Sequence, residues 1–275
     1  FPKGSTITTM ERSTNINRVL VTGASGQLGL SLQDIALEYM LLEFVFVDSK
    51  TLDITDFEKV KRTFETGHFK YCINSAAYTD VEQAEKSPEI AFKVNAEAVK
   101  NLALTCARNG TTLIYISTDY VFDGEKGLPY TVDDKPNPIN KYGKSKLEGE
   151  KYVREIMDEY YIVRTSWLYH KNHGKNFYKT IMQKAQNGEE LRITDEQVGC
   201  PTNAANLAKY VIDLISLGNM PYGTYHFTDG QAMSWFDFAK IIVEENGLMN
   251  STTIVKDNNY RSFANRPKYS VLQSL

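Results

Sequence analysis

In the stretch "NKYGKSKLEGE", residues 140–150, a tyrosine and a lysine stand four positions apart, Tyr142 and Lys146. On a helix that spacing puts both side chains on one face. A phenol titrates at about 10 and donates poorly at neutral pH, whereas a nearby ammonium favours the phenolate and draws its pKa toward the working range. The pair therefore has the makings of a proton donor, and the lysine can also reach ribose hydroxyls. Alone, Y-x-x-x-K is better read as a solvated helix face; its surroundings decide. Upstream, "ISTDYVF" closes a run rich in β-branched and aromatic residues, where Ser117 and Thr118 can hydrogen-bond a substrate carbonyl.

A second group lies near the start of the chain. "GASGQLG" places Gly23, Gly26 and Gly29 between an apolar run, "RVLVTG", and a helical pattern. Glycines there permit a tight turn and let the backbone approach a pyrophosphate, whose charge is stabilised by the amides of the helix N-terminus. Ser25, Gln27 and Leu28 complete this candidate dinucleotide cradle. Asp48 ends the next strand, where a carboxylate can accept hydrogen bonds from the adenosine ribose and would oppose a 2′-phosphate. Lys50 nearby would reverse that preference, so NADPH and NADH both stand as cofactors. In "LDITD", Asp53 with Ile54 beside it is placed to meet the adenine, and helix capping explains Asp53 equally well.

These groups need a scaffold that brings strand ends together, and the chain is patterned for one. From Arg18, short apolar runs alternate with longer helical patterns, the signature of βαβ units and a parallel sheet. "RVLVTG", "FVFVD", "YCINSAA", "TLIYISTDYVF" and "YYIVRTSWLY" read as strands. "QLGLSLQDIALEYM", the run from Pro88 to Gly110, and "KYGKSKLEGEKYVREIM" read as helices. A further helix near residues 53–67 has Asp53 or Thr55 as its N-cap and stops at Gly67. Residues 123–140, with two glycines and three prolines, form a long loop leading into Tyr142 and are expected to wall the substrate site. Beyond it, "NFYKTIMQKAQNG", "NAANLAKYVIDLIS" and "SWFDFAKIIVEENG" are helical, with short strands "LRITD" and "GTYHFTD". The fold class is α/β, a Rossmann-type doubly wound parallel sheet with a smaller C-terminal lobe.

Composition removes other classes. The 275 residues are 42% hydrophobic and 24% charged, with a net charge of −3, so no basic excess points to nucleic acid. No apolar run reaches the roughly 18 residues of a membrane helix, and the polar start predicts a cytoplasmic protein. Cys72, Cys106 and Cys200 are far apart and in no metal-ligand spacing, which suits a reducing compartment. Residues 1–17 are read as an extension ahead of the fold.

Together, "GASGQLG", "LDITD", "NSAAYTDVEQAE", "ISTDYVFDG", "NPINKYGKSKLEGE", "RTSWLY", "DEQVGCPT" and "RPKYSVL", in that order, resemble the dTDP-4-dehydrorhamnose reductase family of the extended short-chain dehydrogenase/reductase superfamily. The resemblance implies a Rossmann domain over 18–165 and, over 166–275, mainly a substrate-binding lobe interleaved with the last sheet elements. It implies reduction of the 4-keto group of a dTDP-6-deoxy-hexulose by NADPH or NADH. Thr118, Tyr142 and Lys146 match the catalytic trio, with Tyr142 the proton donor, Thr118 orienting the carbonyl and Lys146 holding the ribose and tuning the phenol. Ala76, Ala77 and Tyr78 match the segment beside the cofactor's ribose and nicotinamide. Trp167 matches the aromatic of the sugar pocket, and Asp119, Tyr120, Asn176, Gln197 and Arg266 fall near the sugar nucleotide, Arg266 as a diphosphate partner. Some members use magnesium at a dimer interface, but its acidic ligands find no match here and no metal is assigned. A dTDP-sugar is the expected partner and a homodimer the commonest assembly; neither nucleic acid nor membrane is expected.

Two other readings remain. One is a different nucleotide-sugar reductase, epimerase or dehydratase, although a dehydratase needs an added acid/base pair and Asp119 is followed by Tyr120 rather than Glu. The other is a regulatory binding module like the beta subunit of methionine adenosyltransferase, against which the intact sugar-pocket motifs weigh.

Overall fold

A computed structural model describes residues 15–274, so most of the expected extension over 1–17 lies outside the described residues. β1 (Asn17–Thr22) turns at the glycines into α1 (Gln27–Ile35), and β2 (Leu42–Phe46), α2 (Phe57–Gly67) and β3 (Tyr71–Asn74) follow. Next come α3 (Val81–Lys86), α4 (Pro88–Phe92), a π-helical turn over Lys93–Glu97 and α5 (Ala98–Arg108). β4 (Thr112–Thr118) ends in a 3₁₀ turn over Asp119–Val121, and α6 (Lys141–Ile156) leads to β5 (Tyr160–Thr165). β6 (Leu168–Tyr169), α7 (Phe177–Gln186), β7 (Leu191–Ile193), β8 (Val198–Gly199) and β9 (Thr202–Asn203) are short apart from the helix. α8 (Ala204–Leu217), β10 (Gly223–His226), β11 (Met233–Ser234), α9 (Trp235–Glu245) and β12 (Ile254–Lys256) complete the chain.

Six strands form one sheet in the order β10-β5-β4-β3-β1-β2, and every pairing within it is parallel. A parallel sheet is covered on both faces, which is why its strands are apolar almost throughout rather than alternating. Successive side chains still divide between the faces. Leu20, Leu113, Tyr115 and Ile162 pack with Val60, Phe64, Leu102 and Val153 of α2, α5 and α6. Val19, Val21, Ile114 and Val163 pack with Leu28 and Leu32 of α1 and Leu207, Val211 and Ile212 of α8. A separate core joins α7, α9 and β7 through Tyr178, Ile181, Leu191, Phe238 and Ile242. Strand order reverses between β3 and β1, and in open sheets the crevice at the carboxyl ends beside such a switch point is where ligands bind. No helix among the described residues is long and apolar enough to cross a membrane.

Several expected elements differ in detail. α1 stops at Ile35 and gives way to a 3₁₀ turn over Ala36–Glu38. α2 is capped by Asp56, which accepts from the Lys59 N–H at 3.1 Å, not by Asp53 or Thr55. Its end is closed by His68 in the left-handed region (φ 50°) rather than by Gly67. The long run read as one strand from Tyr160 breaks at Trp167, whose φ of 46° ends the pleat before β6. α3, carrying the "VEQAE" string, had no counterpart in the sequence reading. Residues 123–140 are indeed mostly irregular, but none of them lines the cleft described next. They pack instead on the C-terminal segment: Tyr130 pairs with Leu272 in a β-bridge and stacks on Phe122 at 4.2 Å.

Candidate active site

A cleft of ≈ 640 Å³ opens at the carboxyl ends of the central strands, and a second hollow of ≈ 550 Å³ continues it toward β2. Gly23, Ser25, Gly26, Ser75 and Ala77 line both, so the two form one groove around the glycine turn. Gly23 has φ +64°, and a Cβ there would fall 2.6 Å from the Ala76 nitrogen. Gly26 sits at the N-cap of α1 without a side chain to bond the first amides, which leaves that helix end open to an anion. This bare-backbone cradle fits the pyrophosphate of a dinucleotide. Gln27, Leu28 and Gly29 line the larger cleft, while Asp53, Ile54, Ala76 and Tyr78 line the hollow.

Asp48 departs from expectation. Its Oδ1 accepts from the backbone N–H groups of Lys50 (3.0 Å) and Thr51 (2.9 Å) and from the Thr51 hydroxyl (2.9 Å), and the residue does not line the hollow. These bonds hold its carboxyl below the usual range and turn it into a loop cap. Ser49 lines the hollow in its place. Asp53 likewise bonds Thr55 through its backbone N–H and hydroxyl, yet it stays on the hollow's wall.

Thr118, Tyr142 and Lys146 converge in the larger cleft. Thr118, the last residue of β4, donates its hydroxyl to Asp119 Oδ1 at 3.1 Å and accepts from the Tyr120 N–H at 3.1 Å. Tyr142 sits in the first turn of α6, whose N-cap Asn140 accepts from the Gly143 N–H at 2.8 Å. A Cβ on Gly143 would lie 2.1 Å from the Tyr120 carbonyl oxygen, so only glycine lets the helix start press this close to the end of β4. Lys146 is buried one turn on, with Nζ donating to the Ile116 carbonyl at 2.6 Å and lying 4.4 Å above the Tyr115 ring.

Burial dominates the electrostatics of the trio. Desolvation pushes the Tyr142 phenol above its ordinary range; the Thr118 hydroxyl opposes that shift and Asp119 and Tyr120 add to it. The Lys146 amine donates to the Ile116 carbonyl. Its own pKa is drawn down to about 7 by burial, against the pull of Glu150. Burial thus favours the protonated phenol at neutral pH. Asp119 is raised to about 7, since burial outweighs its bonds from Ser270 (2.5 Å) and Thr118.

The far end of the cleft from the glycine turn is aromatic and basic. Trp167 stacks on Trp235 at 3.5 Å and 6°, and both line the cleft with Tyr120 and Arg266. Arg266 is already engaged: Nη2 bonds Glu82 at 2.8 Å and Nη1 meets the Tyr120 hydroxyl at 3.4 Å. Asn176 reaches the cleft, but its side chain caps α7 and holds the carbonyls of His170 and His173. Gln197 does not line the cleft; its Oε1 accepts from the Trp235 indole at 3.1 Å, which ties it to a ring that does. Sequence reasoning missed Trp235, which reads as one more apolar residue at the start of a helix. It also missed Asn95 in the π-helical turn, whose amide exchanges hydrogen bonds with the Tyr78 backbone and donates to Ser145. Nothing in its spacing marks it.

Among the described residues, Asp34, His170 and His173 bring one possible metal-ligand atom each to within 4.8 Å of one another. His173 Nε2 meets Asp34 at 2.6 Å, and His170 Nδ1 accepts from the N–H groups of Asn172 and His173, which leaves its proton on Nε2. The trio ties its loop to α1 with bonds a metal would have to break.

Comparison with known proteins agrees with this geometry. The sequence matches the RmlD substrate binding domain over residues 17–275. It is 39% identical to the spore coat polysaccharide biosynthesis protein SpsK of Bacillus subtilis (strain 168), covering 94% of this chain and 89% of that one. It is 37% identical to the dTDP-4-dehydrorhamnose reductase of Aggregatibacter actinomycetemcomitans, covering 93% and 90%. The dTDP-4-dehydrorhamnose reductase of Bacillus anthracis str. Ames, solved in complex with NADP, superposes with a TM-score of 0.89 at 40% identity, covering 94% of this chain and 91% of that one. A family match over nearly all of the chain, with relatives this similar along their length, means that the chain belongs to the RmlD substrate binding domain family.

Proposed function

We propose that this protein reduces the 4-keto group of dTDP-6-deoxy-L-lyxo-4-hexulose (dTDP-4-dehydro-L-rhamnose) to give dTDP-L-rhamnose, the last step of that sugar nucleotide's synthesis. The observation that carries the reading is the meeting of Thr118, Tyr142 and Lys146 in one cleft with the bare glycine turn on one side and Trp167, Trp235 and Arg266 on the other. NADPH or NADH, held by the turn over 23–29 with Asp53, Ile54, Ala76, Ala77 and Tyr78, supplies the hydride. Thr118 orients the carbonyl at C4. As that carbon is reduced its oxygen gains a full negative charge, and Tyr142 hands it the phenolic proton. Lys146 holds ribose hydroxyls, and solvent returns the proton to Tyr142 before the next turnover. Trp167 offers a flat apolar face to the sugar, and Arg266 a guanidinium to the diphosphate.

The division expected from the sequence fits this reading, with 18–165 holding the dinucleotide and 166–275 mainly holding the sugar nucleotide. A homodimer is the assembly to test by sedimentation. The function is tested by mixing purified protein with the 4-keto-sugar nucleotide, following oxidation of NADPH and NADH in parallel, and identifying the product by mass and NMR. Conversion to dTDP-L-rhamnose is expected. Folded protein that oxidises neither cofactor would overturn the assignment.

A further inference from the structure

The "VEQAE" string on α3 is left without a task by the chemistry above, yet its carboxylates hold both halves of the site. Glu82 Oε2 accepts from the backbone N–H groups of Phe263 (2.9 Å) and Ala264 (3.2 Å), and Oε1 accepts from Arg266 Nη2 (2.8 Å). One residue thus fixes both the path of the 263–266 segment and the guanidinium it carries. Three residues on, Glu85 Oε2 accepts from the N–H of Lys141, the first residue of the helix that bears Tyr142. The same C-terminal segment is gripped from the other side: Asn140, the cap of α6, donates Nδ2 to the Asn265 carbonyl at 2.9 Å. Arg266 in turn reaches the Tyr120 hydroxyl, and the Tyr120 ring meets the Tyr142 ring edge-on at 6.1 Å. Arg266 Nε is closed off from solvent and makes no hydrogen bond. Arg266 nevertheless lines the cleft, and a guanidinium there matches the geometry of a phosphate.

The geometry points to Glu82 as a positioning residue: it latches the 263–266 segment to α3 so that Arg266 stands ready for the diphosphate of the sugar nucleotide, beside Tyr120 and the catalytic helix. This rests on the function proposed above. Glu82 touches neither substrate nor cofactor and acts through Arg266. Its loss therefore raises the KM of the sugar nucleotide and leaves kcat and dinucleotide affinity nearly intact.

The test uses full-length Glu82→Gln, Arg266→Ala and the double variant, each measured for kcat, for KM of the sugar nucleotide, for Kd of dTDP by calorimetry and for Kd of NADP⁺. In Glu82→Gln, KM and the dTDP Kd rise about tenfold, the loss expected when one charge-assisted hydrogen bond is no longer held in place. The NADP⁺ Kd stays within about twofold, and the double variant is no worse toward dTDP than Arg266→Ala, because coupled residues do not add. Unchanged KM and dTDP Kd in Glu82→Gln, or fully additive effects in the double variant, overturn the latch. So does a parallel loss of NADP⁺ and dTDP affinity with a lowered melting temperature, which marks a purely structural residue. If Glu82→Gln does not fold, Glu82→Asp keeps the charge on a shorter arm and must show the same one-sided weakening toward dTDP. The wild type separates the two ideas: turnover and dTDP binding with an indifferent Glu82→Gln sink only the latch, whereas a wild type that neither turns over nor binds dTDP sinks both.

Discussion

In the proposed reaction Tyr142 must be protonated when the hydride arrives, and burial raises its phenol above the ordinary range. Tyr142→Phe keeps the ring and removes only the proton. Turnover should fall by about 10² or more with the NADP⁺ Kd unchanged, as expected for loss of a general acid; a variant with wild-type kcat would return Tyr142 to the status of a helix face. Lys146 makes a separate prediction because its amine, drawn down to about 7 in the fold, titrates near 10.4 in an unfolded chain. The unfolded chain therefore binds more protons between those values, so this residue's contribution to stability is least below about pH 7 and improves as pH rises toward 10. Lys146→Met removes that penalty. Its melting temperature at pH 7 should exceed the wild type's by about 2–4 °C per kcal/mol regained, with the gap closing by pH 10, while turnover collapses. Thermal melts of both proteins across that range check the sign. The types and spacing of Tyr142, Lys146 and the glycines were legible because they depend on local periodicity. The direction of the phenol's shift was not, because it depends on how deeply α6 is sunk.

At the scale of elements, the middle of α6 is tied to the ends of β4 and β5 by one carboxylate without solvent access. Glu150 accepts from Ser117 Oγ (2.6 Å) on β4, from Arg164 Nε (2.9 Å) and Nη2 (2.7 Å) on β5, and from Arg154 (2.7 Å) on its own helix. Those partners keep its carboxyl below the ordinary range despite complete burial. Glu150→Ala leaves the buried Arg164 guanidinium uncompensated and should cost about 3–5 kcal/mol in urea unfolding. Gly143→Ala is the complementary probe: its methyl would run into the Tyr120 carbonyl and crowd Pro138 Cβ at 3.1 Å, so the first turn must shift and carry Tyr142 with it. A kcat loss larger than any loss of stability is the expected outcome, and equal turnover would show that the turn has slack. The helices and buried strands were legible from their periodicity. The break at Trp167, the 3₁₀ end of α1 and the Asp48 turn were not. Each is decided by packing or local hydrogen bonding that leaves the apolar pattern unchanged: Leu168 and Tyr169 read as strand whether or not Trp167 turns the chain.

At the scale of the molecule, the two expected parts are not separable in space even though the sequence suggests a boundary near 165. The edge strand β10 comes from the far side of that boundary, pairing Gly223–His226 with Tyr161–Arg164 of β5. α8 also comes from beyond it, and Leu207, Val211, Ile212 and Ile215 cover the sheet face formed by Val19, Val21, Ile114 and Val163. Parallel sheets do not tolerate an open face, since apolar side chains there have no other partner. A chain cut after Thr165 would keep every residue of the glycine turn and the catalytic trio yet expose that face and the unpaired edge of β5. Such a fragment should be insoluble or bind a hydrophobic dye, and should not bind NADP⁺ in calorimetry, whereas the full chain should. If the fragment folded cooperatively and bound NADP⁺, the dinucleotide half would be an independent unit and the interleaved strand an ornament. The pairing of β10 argues otherwise: the sheet that carries the glycine turn is finished by the same stretch of chain that brings Trp167, Trp235 and Arg266 to the cleft, so the two parts are expected to fold together.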